Sequence, residues 1–151
     1  MKAIEVKMVD LQPMCAGEAQ YKGYITYNYE GNDKGYKVTY PNGAKAWFSK
    51  EQVDKEFFIL NDNNDGSIIL KEDVENFIAA HNTQTIGVKT TLVQATTITG
   101  FELIDSSTCV SHKNYSQELG EKYAMESITN KLWSFLGFVL QWAKNGITRD
   151  K

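Results

Sequence analysis

Residues 100–140 read GFELIDSSTCVSHKNYSQELGEKYAMESITNKLWSFLGFVL. A short strand opens this stretch, a polar turn follows, and the rest is helical. Leu119, Tyr123, Ile128, Leu132, Phe135, Leu136 and Val139 recur at spacings near the 3.6-residue period, which predicts a helix that buries one stripe. Asn114 or Ser116 supplies its N-cap. Gly120 lies inside the helix, where it costs about 1 kcal/mol against Ala, so another backbone or a ligand is expected to come close there.

Upstream, strands over about 88–97 and 100–104 form a hairpin around Thr99-Gly100, and 82–87 reads as a loop. A helix is expected from about Lys71 to His81, and another from about Lys50 to Leu60 with Ser49 as N-cap and Gln52 at the capping-box position. Residues 2–9 alternate at period two and read as a strand, and 21–29 as a second. Tyr36–Tyr40 and Ala44–Phe48 flank Pro41-Asn42-Gly43, whose Asn-Gly pair favours a hairpin turn. The fold class is therefore α+β: a small N-terminal antiparallel β module, SH3-like, over 1–49; a helix-loop-helix linker over 50–82; a β-hairpin packed on long α-helices over 83–145; and a tail over 146–151.

Composition narrows the function classes. The 151 residues are 42% hydrophobic and 12% aromatic, which supports a folded chain. A net charge of −3 supplies no basic field for a nucleic-acid polymer, while a small phosphate ligand needs only a local positive pocket. Cys15 and Cys109 stand far apart without metal-like spacing, as thiols in a reducing cytosol do. No apolar run reaches the ~20 residues of a membrane span, and Met1–Met8 lacks the apolar core of a signal peptide. His81 and His112 have no nucleophile or metal partner at useful spacing, and no P-loop occurs, so neither an enzyme nor a cofactor is expected.

Two stretches invite ligand readings. Asn61–Glu72 sets Gly66, Ile68 and Glu72 at positions six, eight and twelve of an EF-hand loop. Only Asp65 and Glu72 would be charged ligands, which leaves a weak Ca²⁺ loop or a capped linker, and no metal is assigned. Gly87-Val88-Lys89-Thr90-Thr91 joins a loop to a strand, where an ammonium, hydroxyls and free N–H groups suit a phosphodiester. In the N-terminal module Tyr24, Tyr27, Tyr29, Tyr36, Tyr40 and Trp47 form either a binding face or the core of a very small domain.

Gly100, Phe101, Thr108, Cys109, Val110, Asn114, Tyr115, Glu118, Leu119, Gly120, Lys122, Ala124, Leu132, Trp133, Phe135, Gly137, Phe138 and Leu140 fall in an ordered pattern. Over about 70–142 this pattern resembles a family of small tailed-phage proteins that sequester the cyclic oligonucleotide signals of CBASS immunity. Gly35, Tyr36, Val38, Tyr40, Pro41, Gly43, Trp47 and Ser49 resemble a leader module recurrent in small phage proteins, which implies no activity.

The first resemblance implies a site in which Lys89 and Thr91, with Thr90 between them, act with an aromatic of the preceding helix, here Phe77. It also implies hexamers and a second pocket on the long helix. Thr129 matches the Thr of that pocket, whereas Met125 and Glu126 stand where a basic residue is expected, with Lys122 and Lys131 as substitutes. The expected function is an anti-defence sponge in the host bacterial cytoplasm. It would hold cyclic di- or trinucleotides, or cyclic ADP-ribose isomers of Thoeris, without cleaving them. The alternative is an oligomeric interaction adaptor with a weak Ca²⁺ loop. Trp133, Phe135, Phe138 and Trp142 add apolar surface that favours a homo-oligomer under either reading.

Overall fold

In the computed structural model, which describes residues 1–149, the fold is α+β, with two three-stranded antiparallel sheets and one long C-terminal helix. The chain divides into two compact units: residues 1–59 with the helix end from Leu140 onward, and residues 60–139.

The first unit is built on Trp47. Strands β1 (Asp10–Pro13), β2 (Gly35–Thr39) and β3 (Lys45–Ser49) pair in that order. The indole is 5% exposed and packs with Met14, Ala16 and Ala19, with Tyr24 and Tyr29 at its margin. Trp47 Nε1 donates to the Met14 carbonyl oxygen at 2.9 Å, which satisfies its buried polar atom. Gly35 lies beneath the ring: a Cβ there would stand 2.2 Å from Trp47 Cζ2 and 2.4 Å from the Phe48 carbonyl oxygen. A small domain thus fills its core with one large ring and leaves out a neighbouring side chain.

Helix α1 (Ala16–Tyr21) occupies the start of the stretch read as a strand over 21–29, and turns take up the rest. Its buried face is Ala16 and Ala19, three residues apart, a helical spacing that the Tyr/Ile/Thr composition of 21–29 masks. The strand expected over 2–9 falls instead at Asp10–Pro13, because β2 offers partners only to Asp10, Leu11, Gln12 and Pro13. Pro13 ends this edge strand, a position that proline tolerates. Residues 1–9 form no ladder; Met8 N bonds to the Ala143 carbonyl oxygen. The hairpin of β2 and β3 turns at Gly43 (φ 83°), with Asn42 Oδ1 accepting from Ala44 N, as the Asn-Gly pair predicts. Ser49 Oγ accepts from Gln52 N and caps α2 (Lys50–Glu56), which ends four residues before Leu60.

In the second unit α3 (Lys71–Phe77) leads directly into β4 (Ile78–Ile86), which pairs with β5 (Thr90–Thr97), and β5 with β6 (Glu102–Thr108). The expected hairpin, β5 with β6, is therefore two strands of a three-stranded sheet. The helix expected to reach His81 ends at Phe77, and of the loop expected over 82–87 all but Gly87 is strand. Residues 78–86 gain ladder bonds to β5, and this tertiary pairing outweighs the weak helical preference of Ile78-Ala79-Ala80-His81. A bulge near Ala79 absorbs the change from helix to strand.

Helix α4 (Gln117–Asn145) is one element of 29 residues where helices in the plural were expected. Its first turn is held by Ser116, whose Oγ accepts from Leu119 N, so the cap is Ser116 and not Asn114. The buried stripe is Gly120, Ala124, Ile128, Leu132 and Leu136, and Leu140 continues it. Leu119, Tyr123, Phe135 and Val139, expected in that stripe, are exposed. The reason is the close approach of the sheet. A Cβ on Gly120 would stand 2.1 Å from Thr91 Oγ1, so the helix meets β5 through its smallest residues.

Candidate functional site

The residues that the sequence puts forward separate into two places. Lys89 lies in the turn between β4 and β5, and Thr90 and Thr91 begin β5. Lys89 Nζ donates to the Val110 carbonyl oxygen at 3.0 Å, and its own carbonyl oxygen accepts from Cys109 N. Thr90 Oγ1 bonds with Thr108 Oγ1 at 3.1 Å. Thr91 is fully buried, its hydroxyl 2.9 Å from the Tyr115 hydroxyl and its side chain against Gly120. Thr91 is therefore a packing residue, whereas Lys89 is half-buried and Val88 is the exposed side chain of this turn.

Phe77 closes α3 at the other end of the sheet, where its carbonyl oxygen accepts from Ile98 N. Nine residues of β4 lie between it and the Lys89 turn. One copy of the chain does not bring Phe77 and Lys89 together.

Thr129 lies in an open groove of about 890 Å³ within the second unit. Lys71 and Glu75 of α3 form one wall, residues 78–81 of β4 the next, and Lys122, Met125, Glu126, Thr129, Asn130 and Trp133 of α4 the third. The volume lies in the usual range for small-molecule sites. Lys71 pairs with Glu75 at 3.4 Å, whereas Lys122 makes no ion pair among the described residues. Trp133 is 38% exposed and offers a ring face. Lys122 lines the groove together with Met125 and Glu126, so a basic side chain stands on this wall. Lys131 does not line the groove; its Nζ donates to Asp105 Oδ2 at 2.7 Å.

His81 Nε2 lies 3.0 Å from Glu121 Oε1 and ties β4 to α4. The Thr83 hydroxyl leans toward the same carboxylate and, with the His81 ring, holds the Glu121 carboxyl below its ordinary value. Thr83 Oγ1 nevertheless falls short of hydrogen-bond geometry and is a buried polar atom without a bonded partner. Lys71, Trp133 and the β4 residues of the groove carried no ligand signal in the sequence. Lys122, Met125, Thr129 and Trp133, at helical spacings of three and four, mark this side of α4 once the buried stripe is assigned.

The EF-hand reading gives way to a different organisation. Asp73, one residue after the loop's twelfth position, is fully buried and accepts from Asn61 N at 2.6 Å, Asn64 Nδ2 at 2.5 Å and Leu70 N at 2.8 Å. Asn61, Asn64 and Asp65 side chains accept from Asn63, Gly66 and Ser67 N–H groups, so the loop closes on its own backbone. Glu72 is exposed. Among the described residues no three His, Cys, Asp or Glu gather in a metal-ligating group, and no helix is long and apolar enough to cross a membrane.

Residues 69–143, which contain the groove, match the model of the phage protein (N4 Gp49/phage Sf6 gene 66) family. That match marks the chain as a phage protein. No curated protein and no solved structure matches it. The matched stretch of this phage protein runs from the end of the Asp73-centred loop through the sheet and most of α4.

Proposed function

We propose that this phage protein binds and sequesters a host cyclic nucleotide signal in the bacterial cytoplasm, releasing it intact, as a homo-oligomer without catalytic turnover. The groove carries the reading. It combines a free cation at Lys122, the Glu75-paired ammonium of Lys71, a hydroxyl at Thr129 and the ring of Trp133 in a volume suited to a cyclic di- or trinucleotide. The ammonium groups and hydroxyl match phosphodiester oxygens, and the indole matches a base face. Glu75 and Glu126 in the same lining are acceptors for base N–H groups and weigh against a bare polyanion. The sequence resemblance supports the class of ligand, with CBASS cyclic oligonucleotides ahead of cyclic ADP-ribose isomers, and a hexamer as the assembly.

Lys89 is the second element of the reading. Its ammonium needs only to leave the Val110 carbonyl oxygen to reach a phosphate, whereas Thr91 would have to leave its packed position. The test is calorimetric titration against a panel of cyclic di- and trinucleotides and cyclic ADP-ribose isomers, with chromatography of the recovered ligand. Submicromolar binding with intact ligand, weakened at least about tenfold by Lys122→Ala or Thr129→Ala, supports the reading; loss of one charged hydrogen bond predicts that size of effect. Absence of binding across the panel rejects it. In that event the exposed Leu119, Tyr123, Phe135 and Phe138 of α4 favour an interaction adaptor.

A further inference from the structure

The two edges of the second sheet are not alike. Edge strand β6 carries charge: Glu102 begins it, and Asp105 points toward α4, where Ser127 and Lys131 hold it. Charged residues on an edge strand, inward-pointing ones above all, discourage further strand pairing. Edge strand β4 has no Asp, Glu, Lys, Arg or Pro over its nine residues, Ile78–Ile86, and all but Ile78 and Thr83 are exposed. Its outer backbone groups make no backbone hydrogen bond among the described residues. A long, uncharged, open edge is a template for another strand.

The sequence of β4 says which strand fits. Beyond the bulge near Ala79 the regular segment runs from Ala80 to Ile86, with Thr83 at its centre. Antiparallel pairing with a second β4 about Thr83 sets Ala80 opposite Ile86, His81 opposite Thr85, Asn82 opposite Gln84, and Thr83 opposite itself. Each pair is complementary: small against large, imidazole against hydroxyl, amide against amide, hydroxyl against hydroxyl. No like charges meet. Thr83 Oγ1, the buried hydroxyl without a bonded partner in one copy, then faces the partner's Thr83. We infer that β4 pairs with β4 of a second copy across a two-fold axis at Thr83, joining two three-stranded sheets into one of six strands.

The pairing has a consequence for the groove, and this part alone rests on the proposed function. Past Ile86 the partner's chain turns back at Gly87–Lys89, so its β4–β5 turn comes to the Ile78 end of β4, where the groove begins. The two sets of site residues that one copy holds apart then meet at each end of the paired strands. The assembled pocket is then bordered by the neighbouring chain's β4–β5 turn, which carries Lys89.

Cysteine pairing tests the register. Under copper–phenanthroline oxidation, each disulfide forms by removing two protons and two electrons from two thiols. Thr83→Cys places two thiols on the axis, within disulfide reach. Ile86→Cys places its two copies about 20 Å apart along the strands, since each residue advances about 3.3 Å. Full-length Thr83→Cys should therefore form a disulfide dimer on the order of tenfold faster than Ile86→Cys, with the bridge mapped by mass spectrometry to residue 83 and not to Cys15 or Cys109. A mixture of Ala80→Cys and Ile86→Cys chains should form the heterodimer, which keeps the test open should Thr83→Cys fail to fold. A monomeric wild-type protein by light scattering overturns the pairing, as do equal rates for Thr83→Cys and Ile86→Cys or a missing Ala80–Ile86 bridge. If the dimer forms and no cyclic nucleotide binds, the pairing stands and only the composite pocket falls.

Discussion

Both sheets have three antiparallel strands, but they solve the core problem in opposite ways. The N-terminal sheet has only short helices and fills its centre with one indole, making room by removing the side chain at Gly35. The C-terminal sheet has a long helix and fills its centre with small and β-branched groups: Thr91, Val93 and Ala95 beneath Gly120, Ala124 and Ile128. A glycine is needed in each, once for a ring and once for a hydroxyl. The first sheet concentrates its stability in one residue, and the second spreads it along a helix.

That contrast is most exposed at Trp47. Trp47→Ala should cost about 3–5 kcal/mol, measured by urea unfolding, and melt the first unit. Ile128→Val should cost only about 0.5–1.5 kcal/mol. A Trp47→Ala variant whose first unit still unfolds at the wild-type urea midpoint would end the distinction. Next in size is Asp73→Ala, which strands two backbone N–H groups and the Asn64 amide, at about 3 kcal/mol. Glu72→Gln should change little, and millimolar Ca²⁺ should leave the melting temperature unmoved. A Ca²⁺-dependent rise abolished by Glu72→Gln would restore the EF-hand reading.

The two glycines come next. Gly35→Ala and Gly120→Ala should each cost about 1–3 kcal/mol by overpacking. Gly35 should lie at the upper end, because its Cβ meets a backbone oxygen as well as the ring. At Gly120 better helix propensity returns about 1 kcal/mol. The smallest effect is electrostatic. Lys131, Ser127 and the Ser106 N–H hold Asp105 at about 2, below its ordinary 3.8. A depressed carboxyl stabilises the fold above the unfolded value, and the gain is lost as pH falls from 3.8 toward 2. The Asp105 side chain is 22% exposed, so the gain is about 1 kcal/mol or less. Asp105→Asn should flatten the acid limb of the second unit's melting curve and leave the first unit's unchanged.

The legible parts of the sequence were those fixed by local chemistry. Asn42-Gly43 and Thr99-Gly100 specify turns, Ser49 specifies a cap, and Gly120 announces a close approach, each from a conformational demand on one residue. What escaped was decided by pairing at a distance. Residues 2–9 alternate as well as any strand but have no strand to pair with, while Ile78–Ile86 are ordinary in pattern and become β4 because β5 lies beside them. The α4 stripe was misassigned at Leu119, Tyr123, Phe135 and Val139 because hydrophobicity was counted where small size decided the contact. Of the site, Thr129 and Lys122 were visible as helix residues, but their grouping with Lys71 and Trp133 depends on where α3 ends and β4 begins.

The most direct test of the account reads the tryptophans separately. In a ¹H–¹⁵N spectrum the indole of Trp47 is locked to the Met14 carbonyl oxygen in the first unit, and that of Trp133 lines the groove in the second. Titration with a cyclic di- or trinucleotide should shift the Trp133 indole signal in step with the backbone amides of Lys122 and Thr129, leaving Trp47 in place. Binding that leaves Trp133 unmoved, or moves Trp47 instead, would contradict the assignment of the groove as the site.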